Sequence, residues 1–459
     1  MFLIFGFQTA LVAQNDRHYN TIQYGLRGMI LNGAMVAGVD DNSAIYYNPA
    51  ALSTSDNKGL DISLFAVSMA ILKEKNLFNV KTSGRQSDLS FIPGLITYNA
   101  TPFKNKKISL SAASITRYNY QNIKTQQKTF ETEEGIHLNM IDSENNGREF
   151  WLAGAVAYGF ENNVSIGLSQ YLSFRGENYT HDLSYRLFDH EEVGKLIFED
   201  RETLNFKQNH SVGLITKLGL SWHHNSFKIG ATITTPMYAR VFKSASVFYS
   251  RNQFESGNLN AETYSFKSKG KFKTPMALRV GIEVSGNKYL IAASTEYFTK
   301  INTYQLITTS EKDLNPLING TDGFVLEDSR RQIFNFNLGW EITLNDRFRY
   351  LGGLRTNFNF NNSPSDYFDP RIHYSYFDVY HVTQGLQVNI DRNNFTIGID
   401  YGFSFNDNLP ALADLSASSF ASAPISNASV AYNNLTFLFT YNFILERVND
   451  LLKNEGLGI

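Results

Sequence analysis

From about residue 59 onward, apolar side chains alternate with Gly, Ser, Thr, Asn and a few charges. A period of two is the pattern of strands whose two faces meet different surroundings. Phe334, Phe336, Leu338, Trp340, Ile342 and Leu344 fall on one side of such a strand, and Asn335, Asn337, Gly339, Glu341 and Thr343 fall on the other. The same phase runs through 395–404, 212–222 and 278–285. Short turns rich in Asn, Asp and Gly stand near 99–106, 161–163, 223–226, 286–288, 345–347 and 391–394. Between them lie longer polar stretches near 73–87, 123–147, 175–208, 245–270, 305–330, 360–372 and 405–430. Connections that are brief at one rim and extended at the other, around about fourteen strands, predict an all-β, antiparallel transmembrane barrel of the outer-membrane kind. The mean hydropathy of −0.26 agrees with this, since only one face of each strand meets lipid.

Residues 14–58 do not alternate. They carry Gly25, Gly28, Gly33, Gly38, Asp40, Asp41 and the run Tyr46 to Leu52. A fourteen-strand ring is wider than its own side chains fill, so this segment is expected inside the lumen as an N-terminal hatch. Residues 1–13 are an apolar stretch of signal-peptide length, with cleavage after Ala13; the alternative is a buried first strand. The barrel is expected over 59–443. Residues 444–459 form a tail in which Ile444, Leu445, Val448, Leu451 and Leu452 share one face of a short periplasmic helix. Beyond the first segment no run of ~18 apolar residues is present for a helical span.

Composition narrows the classes. The 36 Phe and 25 Tyr beside three Trp suit a lipid-facing wall, and the net charge of −2 gives no basic footprint for nucleic acid. The absence of Cys excludes thiolate metal sites and thiol catalysis. No nucleophile elbow, glycine-rich phosphate loop or HExxH helix is present, so neither an enzyme nor a cofactor is expected. His223 and His224 lie in a short turn and read as exposed polar residues. His137, His181, His190, His373 and His381 lie toward the outer rim, where a hydrolase would need a Ser–His or Asp–His set.

The segment Gly33-Ala-Met-Val-Ala-Gly-Val-Asp-Asp-Asn-Ser-Ala-Ile-Tyr-Tyr-Asn-Pro-Ala-Ala-Leu52 resembles the hatch of the FadL/TodX family of outer-membrane transporters for long-chain fatty acids and aromatic hydrocarbons. Ile92-Pro93-Gly94, Thr274-Pro275, Asn362-Ser363-Pro364 and Tyr441-Asn442-Phe443 are similar to that family's pattern, in order along the chain. The resemblance implies a fourteen-strand barrel, a monomer, and passive uptake of hydrophobic molecules past the lipopolysaccharide leaflet of a Gram-negative outer membrane. It also implies lateral release into the bilayer through a gap made by a kinked third strand. Here the third strand, Ile108-Ser-Leu-Ser-Ala-Ala-Ser-Ile-Thr116, has no Gly or Pro to mark a kink.

Candidate chemistry follows from the strand parity. Pro49 fixes its own φ and holds Asn48 out of helix, so Asn48-Pro49-Ala50 is expected to be the pivot of the hatch or a turn into the first strand. Asp40 and Asp41 are expected to cap a short helix or to pair with lumen bases rather than to bind a cation. Lys217, Arg279, Glu283, Glu296, Glu341, Arg355 and Asp400 fall inward, because a base on the lipid face costs about 2–4 kcal/mol at the bilayer midplane. Lys217, Arg279 and Arg355 are therefore candidates to hold a ligand headgroup, or else members of an ion-pair network that anchors the hatch. An accessory barrel that binds protein partners through its outer loops or its tail is the rival from another class. The apolar loop 409–425 suits either capture of a greasy ligand or contact with a partner.

Overall fold

The computed structural model describes residues 17–441 apart from 56–58, 64–65, 77–83, Pro93, 102–106, Val193, 240–243, Ser256, 309–324, 363–376, 391–392, 411–414 and 416–426. The proposed signal peptide and the C-terminal tail lie outside the described residues, as does nearly all of the loop 409–425.

Fourteen antiparallel strands are formed among the described residues. The first six are β1 (Gly59–Ser63 and Ala66–Lys75), β2 (Gly84–Ile92 and Leu95–Ala100), β3 (Ile108–Thr132), β4 (Gly135–Gly159), β5 (Val164–Phe188) and β6 (Leu196–His224). They continue as β7 (Phe227–Thr234, Tyr238–Ala239 and Ser244–Glu255), β8 (Asn258–Gly270 and Ala277–Ser285), β9 (Tyr289–Phe298 and Ile301–Thr308) and β10 (Val325–Arg330 and Ile333–Thr343). The last four are β11 (Phe348–Asn357), β12 (Val379–Ile390), β13 (Asn393–Pro410) and β14 (Asn427–Tyr441).

Each strand pairs with the next, and β14 returns to β1 with Ala66 opposite Leu438 and Lys75 opposite Ser429. The wall is nevertheless not zipped over its full height. The β2–β3 ladder runs from Ala100–Leu110 only to Leu95–Ile115. Above it, among the described residues, Gly84–Ile92 pairs with β1 alone and 117–132 of β3 pairs with β4 alone. At the end of that ladder β3 carries a bulge, a register shift between Thr116 and Tyr118. The third strand is thus irregular without Gly or Pro, because an extra residue in one strand unsettles pairing as a turn residue would.

The wall is two-faced as the alternation requires. Leu218, Leu220, Val280, Ile282, Phe334 and Phe336 are exposed on its outside. Lys217, Arg279, Glu283, Glu296, Glu341 and Arg355 are buried inside, and Asp400 is largely so, with 14% of its side chain exposed.

The structure corrects one expectation. The stretches 123–147, 175–208 and 245–270, read as long loops, are mostly tall hairpins: β3 turns directly into β4 across 133–134, and β7 pairs with β8 as far as Glu255 opposite Asn258. β6 alone has 29 residues, roughly 95 Å of extended chain, whereas a tilted span needs only about 9–11 residues. On its upper half the lipid-side positions change from Leu214, Leu218 and Leu220 to Glu199, Arg201 and Thr203, which places that half beyond the apolar band.

Inside the ring, residues 17–55 fold back on themselves as two short helices, α1 (Leu26–Ile30) and α2 (Ala44–Tyr47), and a 3₁₀ turn, Pro49–Ser53. Helices of four or five residues are not stable by themselves and are held by packing. Tyr24, Leu31, Met35, Ile45 and Tyr47 form one buried cluster with Ile115, Trp151, Tyr171 and Ile215 of the wall. The hatch runs the height of the lumen, from Arg17 paired with Asp328 of β10 at 2.8 Å down to Ser53, whose Oγ donates to Ser165 of β5 at 2.8 Å.

Candidate functional site

The floor of the site is the seat of the hatch. Asn48 is extended (φ −151°, ψ 103°), as the following proline demands, and its Oδ1 accepts from the N–H of Ala50 at 3.1 Å. Its Nδ2 donates to the carbonyls of Val36 (2.9 Å) and of Leu220 on β6 (3.0 Å). In this state Asn48-Pro49-Ala50 is a fastening between two parts of the hatch and the wall. The close approach depends on Gly219, where a β-carbon would strike Asn48 Oδ1 and lie 2.9 Å from Pro49 Cδ.

A second fastening is ionic. Arg27 pairs with Glu341, with Asp40 at 2.6 Å and with Glu283 at 3.8 Å, and Lys228 meets Glu283 at 2.8 Å. Asp41 takes another role: its Oδ1 accepts from the Ser43 N–H at 2.8 Å, ahead of α2. Among the described residues no group of three or more His, Asp or Glu side chains is placed to hold a metal ion.

Above this floor lies a cavity of about 120 Å³. Aromatic rings make much of its wall, among them Tyr19 and Tyr46 of the hatch, Trp151 of β4 and Phe298 of β9, together with Phe272 and Phe360. Six cationic side chains line it, Arg17, Arg117, Arg175, Lys217, Arg279 and Arg330, against four carboxylates, Glu149, Glu177, Glu296 and Asp328. Glu177 pairs with Arg175, Glu296 with Arg279, and Asp328 with both Arg17 and Arg330. Glu149 instead accepts from Trp151 Nε1 at 2.7 Å and Ser173 Oγ at 2.5 Å. Arg117 and Lys217 are left without an ion-paired carboxylate among the described residues. Both gather on Tyr46: Arg117 donates to its hydroxyl at 2.7 Å, and Lys217 donates to its carbonyl with Nζ 4.6 Å from the ring centre.

Of the three lumen candidates, Lys217 and Arg279 line this cavity and Arg355 does not. Arg355 lies against the hatch, donating to the Asn20 carbonyl and to Asn32 Oδ1 (3.4 Å). Arg117, Tyr46 and Trp151 escaped the sequence reading. Arg117 continues the inward parity of Ser109, Ser111, Ala113 and Ile115, so alternation carried a signal for it. Of the rim histidines, His381 meets Asp400 at 2.9 Å and His137 meets the Tyr185 hydroxyl at 2.7 Å.

His18 sits at the cavity edge with one ring nitrogen, Nε2, 3.0 Å from the Phe377 carbonyl. A carbonyl only accepts, so Nε2 carries the proton. Burial pushes the His18 pKa down to about 3. A histidine kept neutral when docked and free to charge when undocked favours the docked hatch above its ordinary pKa, near 6.5, and loses that preference as pH falls toward 3. Between pH 6.5 and pH 5 the loss is roughly 2 kcal/mol. Asp41, whose carboxyl burial and the Asp40 charge push up, works in the opposite sense near its own, lower range. Bilayer conductance is expected to rise on acidification from pH 7 to 5, and His18→Gln is expected to flatten that rise. An unchanged profile in the variant would show that His18 is not the group responsible.

No family profile and no curated protein matches the chain by sequence. Solved structures do match its fold. The Pseudomonas putida toluene transporter TodX superposes with a TM-score of 0.62 at 15% identity, over 92% of this chain and 99% of that one. A Pseudomonas aeruginosa FadL homologue gives 0.57 at 11% identity, over 95% and 100%. The CymD monoaromatic hydrocarbon channel gives 0.52 at 11% identity, over 93% and 99%. In fold, the chain is a fourteen-strand barrel with an N-terminal hatch of the kind seen in the FadL and TodX channels.

Proposed function

We propose that this protein is a passive channel for small hydrophobic molecules in the outer membrane of a Gram-negative bacterium, acting as a monomer, without a cofactor and without catalysis. The observation that carries the reading is the position of the cavity beside the unzipped seam. Arg117 lines the cavity and is also the extra residue of the β3 bulge, where the β2–β3 ladder ends. An aromatic-lined chamber beside a gap in the wall gives an apolar solute a route from lumen to bilayer that avoids the hatch. The hatch is the water seal in this reading, and lateral release through the seam is the exit.

The size of the chamber sets the class of solute. At about 120 Å³ it is near the ~150 Å³ of an apolar cavity that admits benzene and far below the ~300–1,000 Å³ of sites for larger ligands. A single ring fits and an extended acyl chain does not. The test is entry of radiolabelled toluene into intact cells whose lipopolysaccharide leaflet is the barrier. Entry several-fold faster with the protein than without it, with sucrose excluded, is expected; equal rates would end the transport reading in favour of the accessory barrel.

A further inference from the structure

The charge inside the chamber asks for something that a neutral hydrocarbon does not supply. Three of its four carboxylates are ion-paired with four of its six cations; the fourth, Glu149, accepts from Trp151 and Ser173, and its charge acts on Arg117. Arg117 and Lys217 have no carboxylate within ion-pair distance among the described residues, and both bond to Tyr46, with Lys217 only 2% exposed. Six cations outnumber the four carboxylates of the lining, and buried charge in excess of its counter-charge is costly; lumen aromatics offset only part of that cost through their ring faces. An anion bound between them removes the penalty, with charge-assisted hydrogen bonds from both.

We propose that the cavity is a site for a single-ring aromatic carboxylate, with the carboxylate between Arg117 and Lys217 and the ring against Trp151 and Tyr46. This rests on the transport reading above and narrows it. The preferred solute is an aryl acid in its anionic form, bound more tightly than the neutral hydrocarbon that the channel also passes. The volume of about 120 Å³ limits it to one ring with a small substituent. The guanidinium of Arg117 already lies 4.6 Å from the centre of the Trp151 ring, so an anion drawn to that guanidinium changes the surroundings of the indole.

Trp151 therefore gives a readout that needs no change in the cavity. The chain has three tryptophans, and Trp222 and Trp340 stand on lipid-side positions, so Trp222→Phe with Trp340→Phe leaves Trp151 as the reporter. Benzoate titrated into this protein in detergent is expected to shift the Trp151 emission saturably, more weakly as salt rises, while benzamide, the neutral isostere, binds at least ten-fold more weakly. Equal affinity for benzoate and benzamide, or no saturable response to either, overturns the proposal. In intact cells with a lipopolysaccharide leaflet, Lys217→Met is expected to lower the ratio of channel-dependent benzoate to toluene uptake by at least ten-fold, and an unchanged ratio overturns it. Toluene uptake without benzoate uptake sinks the aryl-acid site and leaves the channel reading intact. Uptake of neither sinks both.

Discussion

Replacing Arg27 with methionine is expected to open the proposed channel. Glu341 and Glu283 are 6% and 1% exposed, and Arg27 is the hatch cation that faces both. Breaking a buried pair from one side costs about 3–5 kcal/mol, because the remaining charge is left in a poorly solvated site. Lys228 still meets Glu283 in the variant, so the exposed penalty falls mainly on Glu341. If the docked and undocked hatch are in equilibrium, this is a shift of about two to nearly four orders of magnitude toward the undocked state. In planar bilayers the wild type is expected to be nearly silent and Arg27→Met to show frequent large openings. Arg27→Met combined with Glu341→Gln is expected to be quieter than Arg27→Met alone, since the orphaned charge is gone. A double variant as leaky as the sum of the two single ones would show that the pair does not hold the hatch.

Gly219→Leu is expected to have the next largest effect, through shape instead of charge. A β-carbon there meets Asn48 Oδ1 and Pro49, and both are locked: Pro49 by its ring, Asn48 by its bonds to Ala50, Val36 and Leu220. Overpacking costs about 1–3 kcal/mol where neighbours cannot give way, which predicts a rise in open probability of roughly ten-fold or more. Gly154, on the outward face of β4, has nothing within 4 Å of the same hypothetical atom, so Gly154→Leu is the matched control. Entry of a hydrophilic β-lactam into cells reads both variants, and equal permeability in the two would remove Gly219 from the seat of the hatch.

The two fastenings differ in what the sequence shows of them. Gly219 and Glu341 could be placed on the inner wall from alternation alone, since a pleated strand sends every second side chain the same way. That Arg27 is the partner of Glu341 could not, because 314 residues separate them and no local pattern links them. The same holds for Lys217, Arg279 and Arg355, three bases of identical parity. The structure places two at the cavity and the third beneath Asn20. The tall hairpins of β3 to β8 were hidden for another reason. Where polar residues fill both faces of a strand, as over 142–148, the apolar–polar alternation is lost, and the backbone ladder that holds it is blind to side-chain identity.

What the sequence alone determined is whatever depends on neighbours a few residues apart: the two-sided strands, the number of turns, the non-alternating hatch segment, and the extended Asn48 before Pro49. Only the tertiary structure decided which charges cancel, where the wall stays unzipped and how large a chamber is left. Those depend on contacts between residues hundreds of positions apart, which the curl of the sheet and the threading of the hatch bring together.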